Sequence, residues 1–123
     1  MGLFERRKQI RVDRRESLNS VPVLHPEVTV ATLAAERIVL KVPVARDGSW
    51  LDWLRPAGLI KSYELDEFGT FVVRQVDSQR SVLDIVRAFE RQFQLSPREA
   101  ELGVVAFLKL LMKRRVLSVV VAR

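Results

Sequence analysis

Cysteine is absent from the 123 residues, and histidine occurs once. The first absence excludes disulfides, thiolate zinc sites, iron–sulfur ligation and cysteine nucleophiles. The second removes imidazole-rich metal sites and most histidine-based acid–base relays. No Gly-rich phosphate loop, no H-E-x-x-H and no Gly-flanked nucleophilic serine occurs. No uncharged stretch approaches the roughly 20 residues that a bilayer-spanning helix needs. Near the basic N-terminus, Arg11, Asp13, Arg14, Arg15 and Glu16 interrupt any apolar signal core. These absences predict a cytoplasmic protein without a cofactor or metal. His25, between Leu24 and Pro26, reads as a linker residue. Asp66–Glu67 and Glu99–Glu101 read as helix-start acids. No base is set beside a nucleophile, so the chain is not expected to be an enzyme.

What is present suits one globular domain: 48% of the residues are hydrophobic, enough to fill a core at this length. The net charge of +6 is unevenly spread. Residues 1–20 carry six basic and three acidic groups, residues 21–66 five and six, and residues 67–123 ten and six. Much of the excess is therefore terminal. Lys109, Lys113, Arg114 and Arg115 crowd one helix end, where the macrodipole favours cations.

Residues 1–20 lack a sustained apolar period and are expected to form a basic, flexible N-terminal tail. Pro22 and Pro26 punctuate the chain, which places the ordered domain at residues 21–123. Val28, Val30 and Thr32 alternate with Thr29 and Ala31, then Ile38, Leu40 and Val42 with Val39 and Lys41. Two such runs predict an antiparallel hairpin. Residues 45–58 hold Asp47–Gly48, Trp50 and Trp53, and read as an ordered loop or helical turn packing back on the domain. A third strand is predicted over Ile60–Leu65. Helices follow near 67–76, 82–93 and 97–115. Ser81 is a cap for the second, and Ser96, Pro97 and Glu99 give the third a capping-box start. Leu117–Val121 is a short strand or a packed tail. The expected class is α+β, winged-helix-like: a three-stranded antiparallel sheet followed by a three-helix bundle.

A winged-helix outline and a basic charge make a DNA-binding regulator the alternative function. Two features oppose it. Asp84, Arg87, Glu90 and Arg91 alternate in sign along the second helix, and the third opens with acids. A recognition helix offers basic and amide groups to base edges.

The stretch Tyr63-Glu64-Leu65-Asp66-Glu67-Phe68-Gly69-Thr70-Phe71-Val72, followed by Asp77, Arg80-Ser81-Val82, Ile85 and Phe93, resembles the PqqD family. That family is named for a pyrroloquinoline quinone biosynthesis protein. The likeness runs from about Tyr63 to Leu117. Ser78 stands where the family's turn usually has glycine. The resemblance implies a non-catalytic peptide chaperone that binds the leader of a ribosomally made precursor peptide. It implies, too, a modifying enzyme as second partner, often a radical-SAM protein, which supplies the iron–sulfur cluster this chain cannot hold. Nucleic acid is not expected as a partner, and self-association through a sheet edge stays open.

The resemblance also implies where the leader lies: as an added strand beside the third strand, in a cleft walled by the third helix. Strand addition needs an open edge and side-chain pockets. Lys61, Tyr63, Glu64 and Leu65 would supply the edge. On the third helix, about 100° per residue places Arg98, Val105, Lys109 and Met112 in one arc beside the core stripe. An apolar floor with basic rims would suit an acidic, leucine-bearing peptide.

Overall fold

Three β-branched runs begin the part of the chain that the alternation identifies. In the computed structural model, which describes residues 14–33, 37–43 and 60–121, they are β2 (Thr29–Thr32), β3 (Ile38–Pro43) and β4 (Ile60–Glu64). They form one antiparallel sheet in the order β2-β3-β4, with Val30 opposite Leu40 and Leu40 opposite Tyr63. Ile38, Leu40 and Val42 point to one face and are buried, while Lys41 between them is exposed. The expected loop with Trp50 and Trp53 lies outside the described residues.

The three expected helices are α2 (Glu67–Gln75), α3 (Val82–Phe93) and α4 (Pro97–Lys113). Asp66 caps α2 by accepting from the Gly69 N–H at 2.8 Å. Ser81 and Asp84 form a reciprocal capping box on α3. Ser96 caps α4 as expected, but the Glu99 carboxylate accepts from the Ser96 hydroxyl at 2.8 Å instead of its backbone N–H, so that box is half formed. Ile85, Val104 and Leu111 reach the same core as Leu40. At one end, Phe68, Phe71, Phe89 and Phe93 cluster with centroids 4.7–6.2 Å apart in tilted and edge-on pairs.

The structure departs from the expected tail at residues 14–20. Arg14–Asn19 is a short helix, α1, whose Leu18 packs against the core. Ser20 is buried, and its carbonyl accepts from the Val82 N–H at 2.8 Å, tying the segment to the start of α3. Six residues cannot sustain a helix alone, so docking rather than periodicity orders it.

A second sheet also departs from the expected three strands. Val21–Leu24 (β1) pairs antiparallel with Leu117–Val120 (β5), Val21 lying opposite Val120. The His25 N–H bonds Val116 O at 2.9 Å, and alternation along the ladder turns the Pro22 nitrogen away from β5. The proline thus removes a donor that the pairing does not use. Among the described residues, no helix is long and apolar enough to cross a membrane.

Candidate functional site

The outer edge of β4 is set by one hydrogen bond. The Leu65 N–H donates to Ile38 O at 2.9 Å, and antiparallel alternation then turns the main-chain groups of Lys61 and Tyr63 toward β3. Those of Ile60, Ser62 and Glu64 face the other way. No strand among the described residues pairs with them. The Ile38 N–H is taken by the buried Thr70 hydroxyl at 3.2 Å, which fastens the sheet to α2. Register places the Lys61 and Tyr63 side chains on the face of Val42 and Leu40, toward the helices, and those of Ser62 and Glu64 on the opposite face.

The C-terminal half of α4 lies beside this edge. Arg114, its C-cap residue, holds its guanidinium carbon 4.7 Å from the centre of the Tyr63 ring. Phe107 packs so closely on α2 that a Cβ on Gly69 would come within 2.9 Å of its Cζ. Glycine at that position lets α2 and α4 approach, and so sets how near α4 stands to β4.

The other flank of α4 faces α1 and β5. Val105, Lys109 and Met112 line a groove of about 400 Å³ with Leu18, Val119 and Val121. Arg14 and Glu101 close one side through paired hydrogen bonds of 2.6 and 3.0 Å. The Arg14 hydrogen bond holds the Glu101 carboxyl below its ordinary value. The same bond raises the guanidinium of Arg14.

The eight residues singled out from the sequence therefore fall in separate places. Lys61, Tyr63 and Glu64 sit together on β4, with Glu64 within 4.0 Å of Arg37. Leu65 is buried in the core. Val105, Lys109 and Met112 share the groove on the far flank of α4. Arg98 lies in a shallow recess with Pro97 and Leu102 near the helix start. Phe107 packs on α2 at Gly69 and Arg114 reaches Tyr63 on β4, whereas Val105 and Met112 line the groove toward α1 and β5, so the residues expected in one cleft are not brought together. Helical spacing defines an arc but not which neighbour it meets. Arg114 was passed over as one cation in a helix-end cluster; its pairing with Tyr63 leaves no short-range signal. Among the described residues, no group of three His, Asp or Glu could hold a metal ion.

No curated protein is matched by the sequence. Among solved structures, the fold is similar to "Lasso peptide synthetase B1 complexed with the leader peptide", with a TM-score of 0.58 at 18% identity, over 79% of this chain and 96% of that one. The family model described as coenzyme PQQ synthesis protein D (PqqD) matches residues 49–117, a span that contains β4 and all three main helices. With more than half of its length in that match, the chain belongs to the PqqD family.

Proposed function

We propose that this protein binds the leader segment of a ribosomally made precursor peptide and presents it to the enzyme that modifies the peptide, with no catalysis of its own. The observation that carries the reading is the open edge of β4, with the main-chain groups of Ile60, Ser62 and Glu64 outward and α4 alongside. A peptide strand added there gains main-chain hydrogen bonds from the edge and side-chain selectivity from the helix. Family membership and the likeness to a structure that contains a leader peptide support the same reading. The recognition domain comprises residues 21–123, with α1 docked on it. The modifying enzyme, of the radical-SAM class, supplies the redox chemistry in the cytoplasm. The groove at Val105 and Met112 lies on the other flank of α4 and stays uncovered when β4 is occupied.

The test is Ser62→Pro in the full chain. The Ser62 N–H faces outward, so proline there removes a donor from the edge without breaking the β3–β4 ladder. Fluorescence anisotropy with a leader peptide taken from a short reading frame found next to the gene should give micromolar affinity, about −8 kcal/mol. Ser62→Pro should weaken it about tenfold or more with an unchanged melting temperature. Wild-type affinity in a folded Ser62→Pro variant would overturn the edge assignment. Duplex DNA binding that falls steeply with salt, without leader binding, would overturn the function.

A further inference from the structure

We infer that Arg114, held on the ring of Tyr63, reads a carboxylate in the bound leader and makes an acidic side chain opposite Tyr63 the specificity-determining feature of the substrate. This rests on the leader reading above and deepens it. Cations at the end of α4 have an ordinary explanation in the helix dipole, and Lys113 and Arg115 need no other. Arg114 differs in its placement: its guanidinium lies 4.7 Å from the Tyr63 ring centre, over the edge strand.

A ring face can engage only part of a guanidinium with five N–H donors, so donors remain for a bidentate acceptor. No acidic residue forms an ion pair with Arg114 among the described residues. Lys61, two residues from Tyr63 on the same face of β4, adds to the positive field. The acids beside it do not compete. Glu64 projects from the opposite face toward Arg37, and Asp66 is engaged by the Gly69 N–H.

The geometry of strand addition selects the position read. Tyr63 directs its main-chain groups toward β3, so an antiparallel peptide strand meets Tyr63 at a non-hydrogen-bonded position. Directly opposed side chains are closest at such positions, with Cβ atoms about 4.5–5.5 Å apart. The leader side chain opposite Tyr63 therefore emerges on the helix-facing side, beside the Arg114 fork. Aspartate or glutamate satisfies that fork in plane.

The experiment titrates the full-length chain with a fluorescein-labelled leader peptide, taken from a short reading frame found next to the gene, each acidic residue of which is replaced in turn by its amide. One replacement should lower affinity about tenfold or more at low salt, and the others little. Against Arg114→Gln the wild-type leader should lose about as much, and that same amide should cost nothing further. Arg114→Lys should recover only part of the affinity, since an ammonium keeps the charge but not the fork. A flat response across all the amide series on the wild-type chain overturns the inference without any protein variant. So does Arg114→Gln binding at wild-type affinity, or a loss that is additive with every amide. If Ser62→Pro still weakens binding in those cases, the leader reading stands and only the role of Arg114 falls. Absence of any leader binding removes both.

Discussion

Arg14 and Glu101, from opposite ends of the described chain, form a two-pronged ion pair: Nε donates to Oε2 at 3.0 Å and Nη2 to Oε1 at 2.6 Å. The pair clips α1 to α4 over the groove that holds Val105 and Met112. The Arg14 side chain is 76% exposed and that of Glu101 23%, so water and salt screen the attraction strongly. Its role is to hold a short helix in place rather than to stabilise the domain.

That clip should open in acid. The folded-state value of Glu101 is depressed, so its contribution is complete above the ordinary carboxylate range and fades as pH falls through the depressed value. The raised value of Arg14 adds a contribution that is complete at ordinary pH and is lost only in extreme alkali. Amide exchange corrected for its intrinsic pH dependence should show protection of Ser20 and Val82 falling below about pH 4, in the carboxylate range, while that of Ile85 holds. Glu101→Gln should remove this difference. Equal loss at Ile85 would mean global unfolding and would sink the local account.

Ser78 offers a stabilising substitution. Its φ is 67°, in the left-handed region, within a turn where Asp77 Oδ1 accepts from the N–H groups of Gln79 and Arg80 at 3.0 and 2.8 Å. A side chain there costs about 1 kcal/mol or more, and glycine returns part of that gain as unfolded-chain entropy. Ser78→Gly should raise stability by roughly 0.5–1 kcal/mol, seen as a higher urea midpoint with an unchanged slope. An unchanged or lower midpoint would show that the turn is not strained.

Met112→Asp separates the two flanks of α4. Met112 is 40% exposed and lines the groove, whereas the adjacent Leu111 is almost wholly buried. The Met112 variant should fold, with a loss of about 1 kcal/mol or less, and should bind the leader at wild-type affinity. Leu111→Asp should fail to fold, because an unpaired carboxylate would replace core packing. A fall in leader affinity with Met112→Asp as large as with Ser62→Pro would move the peptide site to the groove.

Legibility in the sequence followed the range of the interactions. β3 and the three long helices were readable because each buries one face, which prints a period of two or near 3.6 on the chain, whereas β2 and β4 are largely exposed and were readable from alternation and turn signals alone. The capping serines were readable because a cap is a local hydrogen bond. α1 and β1 were not, since both depend on partners far along the chain: α1 on α3 and α4, β1 on β5. Pro22 read as punctuation, yet its nitrogen faces away from the ladder and a strand accommodates it. For the candidate site, the exposed Lys61 and Glu64 and the half-buried Tyr63 of β4 were identifiable, but periodicity assigned Leu65 no depth. The arc of Arg98, Val105, Lys109 and Met112 lies on α4 and meets neighbours that helical spacing does not specify.

The pairing of Val21 with Val120 gives the domain a kinetic order. The β2–β4 meander and the α3–α4 hairpin join segments close in sequence, so little chain entropy opposes their formation. The β1–β5 ladder closes almost the whole described chain, and gains nothing until the helices have brought its strands together. Leu117, 2% exposed, should then make its contacts after the rate-limiting step. Truncating it to alanine should cost about 2–5 kcal/mol, almost all as faster unfolding, whereas Ile85→Val in the hairpin should slow folding. Stopped-flow chevrons would decide: a folding arm slowed by Leu117→Ala would place closure early. Resistance to unfolding would then be governed by a four-residue ribbon that shares no strand with the β2–β4 sheet, and changes there would alter the lifetime of the folded state.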